Sequence, residues 1–245
     1  MSREAGAFPP ATAWSGAWFE SGVRTKTAEL WRGVEAQHVI ATMRLADNVA
    51  EQRVLEELLE ASKPPLPPEA AGKHYLLFTP FRYRSPLASR FRRAHEPGIW
   101  YGAEELRTAC GELAYWKWRF LMDSEPLRAS ALHTEHTFFK ARVRGRCADL
   151  NAAPWKKAAR TWTHKSDFAP CQAFGAEARE HRVEWIRYAA VRVPGGICGA
   201  VLDLSALALP EPFEQQTWAC KTSAAGAWLQ RAGGERHDFS AADWT

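Results

Sequence analysis

The stretch from residue 183 to residue 204, VEWIRYAAVRVPGGICGAVLDL, carries two apolar runs, Val183 to Val193 and Ile197 to Leu204, separated by Pro194-Gly195-Gly196. Proline followed by two glycines marks a turn, so the stretch reads as a strand hairpin. Upstream, residues 137–144 alternate: Phe139, Ala141 and Val143 face one way, and Lys140, Arg142 and Arg144 the other. That period of two is the pattern of a half-buried strand. Between these strands Asp167 is placed to cap a helix running to about His181. Thr217 to Thr222 reads as a late strand. Helices interrupt the strands without the regular alternation of a doubly wound sheet, and no glycine fingerprint of a Rossmann site or P-loop is present. The expectation is an α+β domain over roughly residues 70–230.

The chain has 245 residues, of which 46% are hydrophobic and 24% charged, with a net charge of +4. This composition excludes global disorder, collagen and coiled coil, and the length is enough to bury a core. The mild positive charge suits an anionic ligand without demanding nucleic acid. Twelve tryptophans predict a Trp-rich core. The five cysteines, 110, 147, 171, 198 and 220, are odd in number, widely spaced and lack any C-x-x-C pair. They read as buried free thiols of a reducing compartment rather than zinc or redox ligands. The segment MSREAGAFPPATAWSG has no basic region followed by an apolar one, and no apolar run approaches ~18 residues. A soluble, cytoplasmic protein is expected.

Residues 1–30 contain Pro9-Pro10 and scattered aromatics, and predict irregular structure pinned by Trp14, Trp18 and Phe19. Asn48, with Glu51 three residues on, reads as the capped start of a helix carrying Val54, Leu55, Leu58 and Leu59. The helix stops at Lys63-Pro64-Pro65-Leu66-Pro67-Pro68, a stiff connector and the best boundary in the sequence. The expected organisation is an N-terminal helical extension over 1–68 and a main domain over 69–245. After the connector, His74 to Phe78 reads as a strand, a Ser- and Arg-rich loop runs from Arg84 to Arg93, and Gly98 to Tyr101 reads as a short strand. Glu104 to about Met122 reads as a helix with Ala109, Leu113, Trp116 and Phe120 on one stripe.

Glu112 is the first candidate for chemistry. It sits mid-helix beside Leu113, Ala114, Tyr115 and Trp116, where a buried carboxylate is costly unless paired or used. Its bland alternative is a surface glutamate. Arg82, Arg84, Arg90, Arg92 and Arg93 crowd the preceding segment, with Tyr83 and Tyr101 nearby. Guanidinium forks match phosphate oxygens, and tyrosines offer flat faces to a planar ring. With one carboxylate to stabilise an oxocarbenium-like ribose, these are the parts needed to hold a dinucleotide and cleave its glycosidic bond. A solvated basic loop is the alternative.

Phe81-Arg82-Tyr83, Ser89-Arg90-Phe91, Trp100-Tyr101-Gly102-Ala103 and Thr108-Ala109-Cys110-Gly111-Glu112 together resemble the RES domain family, named for an Arg, a Glu and a Ser. Arg90 precedes Tyr101 by eleven residues, and Tyr101 precedes Glu112 by eleven. Trp162-Thr163, Cys171-Gln172 and the hairpin from Ile186 to Leu202 extend the resemblance over roughly 72–207, and the N-terminal helix looks like that of an extended subgroup. The resemblance implies a twisted β core with flanking helices, similar to diphtheria-toxin-like ADP-ribosyltransferases. It implies degradation of NAD by hydrolysis or phosphorolysis, or ADP-ribosylation of a protein, by a toxin that a helix-turn-helix antitoxin neutralises. Carried onto this sequence, it makes Glu112, Arg82 and Arg90 catalytic and puts Tyr83 and Tyr101 at the substrate NAD, with no metal.

The sequence departs from the family at the serine, whose position is Ala190, before Val191-Arg192. A lost hydrogen bond to a charged group costs roughly 1.5–3 kcal/mol. Arg192 is placed in the same binding site, where it can compensate. A weakened or non-catalytic relative that binds a nucleotide or an antitoxin is the second reading. A nucleic-acid module on the stripe Lys140, Arg142, Arg144 and Arg146 is the third and weakest. His133 and His136 form an H-x-x-H, whose spacing of three argues against a helical zinc pair. Two-fold assembly is the default for an oligomer.

Overall fold

The structure is a computed structural model and describes residues 14–36 and 45–245; Pro9 and Pro10 lie outside the described residues. Helix α1 (Ala17–Gly22) leads directly into strand β1 (Val23–Glu35). Helices α2 (Val49–Ser62) and α3 (Tyr75–Arg82) precede β2 (Trp100–Ala103) and the long helix α4 (Leu106–Asp123). Strand β3 (Leu132–Asp149), the short α5 (Ala159–Trp162) and α6 (Ala169–Glu180) follow. The chain ends in β4 (Trp185–Ala189), β5 (Ile197–Val201), β6 (Leu207–Ala208), β7 (Gln215–Ser223), β8 (Gly226–Arg231) and β9 (Arg236–Ser240). The expected α+β class, a central sheet with flanking helices, is the one observed.

Among the described residues one sheet holds every strand, in the order β1-β2-β5-β4-β3-β7-β8-β9, with β6 on β3. Because β1 pairs with both β2 and β3, the first five strands close into a ring. β3 joins the ring to the meander β7-β8-β9 by pairing β1 through residues 136–148 and β7 through 132–139. The expected hairpin is β4–β5, with Gly195 at the turn at φ +81°, a conformation that needs no Cβ. The β3 alternation is as expected: Phe139, Ala141, Val143 and Cys147 are fully buried, while Arg142, Arg144 and Arg146 are exposed. Lys140 and Arg142 pair with Glu29 across β1, so the basic stripe is partly neutralised.

Three expectations need correction. Within residues 1–30, the described part from Trp14 on is not irregular: β1 pairs with β3 from Val23 to Glu35, so part of the N-terminal segment belongs to the main sheet. Its sequence hid this because the strand mixes exposed Arg24 and Thr25 with buried Leu30 and Trp31, with no clean alternation. The anchors themselves are as expected, with Trp14 donating to Glu177 Oε2 at 2.6 Å and Phe19 packed on Trp155. Second, His74 to Phe78 is not a strand. His74 caps α3, its Nδ1 accepting from the Leu76 amide at 3.3 Å. Pro80 leaves the Leu76 carbonyl without its helical donor, and Trp100 Nε1 supplies one at 3.3 Å. A five-residue apolar run does not distinguish strand from buried helix by period alone. Third, β8 and β9 were not anticipated.

The capped helix is present as α2, with Asn48 Oδ1 accepting from the Glu51 amide at 3.0 Å. Asp167 Oδ1 accepts from the Ala169 amide at the start of α6. All five cysteines are buried and free. No helix among the described residues is long and apolar enough to cross a membrane.

Candidate active site

The α4 sequence decides where the cleft lies. Cys110, Ala114, Tyr115, Trp118 and Leu121 are buried against the β7–β9 meander and the sheet. The stripe Ala109, Leu113, Trp116 and Phe120 is on one side, as the period requires, but it faces a cleft of about 750 Å³. Glu112 lies on the same side and lines that cleft, with Arg90, Tyr101 and Arg192. Gly111, just before Glu112, lets α4 approach closely: a Cβ there would lie 2.2 Å from Val193 and 2.8 Å from Phe239.

Four of the six residues expected at the site therefore converge. Each is held by its surroundings. The Glu112 carboxylate accepts from the Arg192 amide at 3.5 Å, and no side chain among the described residues forms an ion pair with it. Burial pushes its pKa above the ordinary carboxylate value, opposed by the charges of Arg90 and Arg192. Arg90 Nη1 donates to the carbonyls of Trp162 and His164 at 3.0 Å each, and its guanidinium lies over the Phe168 ring at 4.6 Å. Arg192 lies over the Tyr115 ring at 3.7 Å and donates to the Lys165 carbonyl. The Tyr101 hydroxyl bonds Ser89 Oγ at 2.8 Å and accepts from the Phe91 amide at 3.2 Å, while Gln172 on α6 holds the Ser89 carbonyl. Burial raises the Tyr101 pKa, so the phenol stays neutral and presents its ring.

Arg82 and Tyr83 do not join them. Arg82 is the last residue of α3 and turns toward α2, donating to the Pro64 carbonyl at 2.6 Å and to Glu60 at 3.0 Å. Tyr83 is 39% exposed and outside the cleft lining. Arg82 closes the helix at 75–82 and Tyr83 is its C-cap, and this end of the helix faces α2 and the proline connector.

Arg32 is the residue the sequence reading missed. It comes from β1, lines the cleft, and donates from Nη1 to the Tyr101 carbonyl at 2.9 Å. Its Nε is buried with no partner, and burial lowers its pKa to about 10, so it remains charged at neutral pH. A charge between Leu30-Trp31 and Gly33-Val34 was the available signal. Among the described residues no carboxylate pairs with Arg32, Arg90 or Arg192, so this end of the cleft is net positive and suited to an anion. Tyr188 and Cys198 also line it.

Ala190 is buried beside Gly196 and outside the cleft lining; a Cβ on Gly196 would lie 3.2 Å from the Ala190 Cβ and 2.5 Å from Thr108 Oγ1. His136 is buried with Nε2 on Thr134 Oγ1, and no three His, Cys, Asp or Glu side chains among the described residues are grouped to hold a metal.

A family model described as the RES domain matches residues 66–223. No curated protein sequence matches the chain. Among solved structures, a chain of the crystal structure of the M. tuberculosis MbcT-MbcA toxin-antitoxin complex is similar at 12% identity and a TM-score of 0.48, covering 86% of this chain and 92% of that one.

Proposed function

The chain belongs to the RES domain family, and from that premise we propose that it consumes NAD by cleaving the bond between nicotinamide and ribose, as the toxin of a toxin–antitoxin pair. One observation carries the reading: the carboxylate of Glu112 shares a cleft with three guanidiniums, none of which forms an ion pair with a carboxylate among the described residues. NAD offers a diphosphate for the arginines and a positively charged pyridinium sugar for the carboxylate.

In this reading Arg32, Arg90 and Arg192 hold the diphosphate. Their backbone-carbonyl and ring contacts fix their directions before the ligand arrives, which lowers the ordering cost of binding. The Tyr101 ring flanks the nicotinamide. The bond from ribose C1′ to the pyridinium nitrogen breaks with its electron pair going to the nitrogen, so nicotinamide leaves neutral. The positive charge that develops on C1′ and the ring oxygen is stabilised by Glu112, which acts only when ionised. Water, phosphate or a protein side chain then adds to C1′ and loses its proton. Water as acceptor yields nicotinamide, ADP-ribose and a proton.

The test is incubation of purified protein with NAD, with and without inorganic phosphate, reading nicotinamide and the ribosyl product by mass. Nicotinamide release from the wild type and a loss of about a hundredfold or more in Glu112→Gln are expected, on the scale of removing one electrostatic stabiliser. Undiminished release by the variant rejects the assignment. The antitoxin partner is tested separately, by whether a helix-turn-helix protein co-purifies and suppresses release.

A further inference from the structure

Beyond Glu112 the cleft changes character. Glu112, Trp116 and Phe120 are spaced at i, i+4 and i+8, so they lie in one row along α4 spanning two helical turns, about 12 Å. The opposite wall is β1. Gly33 packs against Leu113, where a Cβ would lie 2.7 Å from its side chain, and Glu35 pairs with Lys117 one turn further on. Arg32 and Trp31 therefore stand toward the Glu112 end, and past them the walls are Gly33, Leu113, Trp116 and Phe120.

Trp116 and Phe120 are not core. Among the described residues Trp116 is the one tryptophan left exposed, at 49%, and Phe120 is 61% exposed. Trp116 is nevertheless held, with the Tyr115 ring against it at 5.3 Å and 72°. A half-exposed indole in a cleft is a stacking surface for a flat ring, and base–aromatic stacking tolerates any base.

We propose that Trp116 and Phe120 form the platform on which the adenine ring of the dinucleotide stacks, so that the cleft selects the whole dinucleotide over its nicotinamide mononucleotide half. This rests on the reading of the cleft as an NAD site. Along α4 Glu112 stands at the bond to be broken, with the guanidiniums at its end of the cleft for the diphosphate, and the indole stands one turn further on for the base. The Lys117–Glu35 pair ties the two walls together at the level of the platform.

The test uses the full chain and equilibrium binding, so that it does not depend on turnover. Calorimetry compares AMP and nicotinamide mononucleotide on wild type, Trp116→Ala and Trp116→Phe, with the thermal midpoint of each variant as the control for folding. Expected are AMP binding weakened about tenfold in Trp116→Ala, largely restored in Trp116→Phe, and nicotinamide mononucleotide binding changed less than about twofold in either. Undiminished AMP binding, or equal loss of both ligands, overturns the platform. AMP binding that depends on Trp116, in a protein that releases no nicotinamide from NAD, rejects the cleavage reading and supports the platform.

Discussion

The guanidinium carbon of Arg192 lies 3.7 Å from the centroid of the Tyr115 ring, and the amide of the same arginine points at Glu112. Tyr115 is itself wedged between Trp116 and Trp244, at 5.3 and 5.7 Å. The ring is a shelf that sets the direction of one cleft cation, and the C-terminal turn backs the shelf. Tyr115 is thus a positioning residue. Replacing it with leucine removes the cation–π contact, worth about 1 kcal/mol, and should lower kcat/KM for NAD roughly fivefold. Tyr115→Phe keeps the ring face and should stay close to wild type. Equal losses in both variants would assign the effect to the hydroxyl and reject the shelf.

Arg32 and Arg82 separate the observed cleft from the one the sequence motif implied. Arg32 is in the lining with a free buried Nε, whereas Arg82 is committed to Glu60 and Pro64. Arg32→Gln should weaken NAD binding about ten- to hundredfold, the range for a lost charged hydrogen bond. Arg82→Gln should leave the affinity unchanged, because the Arg82 side chain is engaged with Glu60 and the Pro64 carbonyl rather than the cleft. Calorimetric titration of both variants decides, and the reverse order would restore Arg82 to the site.

What could be read in the sequence followed from local physics. The β3 alternation, the Asn48 cap and the Pro-Gly-Gly turn each depend on neighbours in the chain, and each is found, while Asp167 sits one residue before the α6 cap and accepts from the first helical amide. Arg90, Tyr101, Glu112 and Arg192 were marked by the resemblance to the RES domain family, and all four line the cleft. What failed was non-local. β1 is a strand because β3 lies beside it for thirteen residues, and nothing within Val23–Glu35 announces that partner. Arg32 reached the site only through that pairing. Tyr83 was misplaced because the run before it folds as a helix whose missing proline donor is replaced by a distant indole, Trp100. The α4 stripe was found, but period alone does not say whether an apolar stripe faces core or cleft.

Glu112 should also leave a signature in stability. Burial raises its pKa above the ordinary value, with Arg90 and Arg192 offsetting part of the cost. The folded chain therefore keeps a proton that the unfolded chain has already released. Stability falls as pH rises from the unfolded value, about 4.3, to the folded pKa, and stays lowered above it. Glu112→Gln resembles the protonated acid and carries no such penalty. The thermal midpoints of variant and wild type should coincide near pH 4, and the variant should be the more stable at pH 7.5, measured by calorimetry at fixed ionic strength. A variant less stable than wild type at pH 7.5 would mean that the two arginines more than repay the burial of the carboxylate, and that the charge is held for the fold rather than for a ligand.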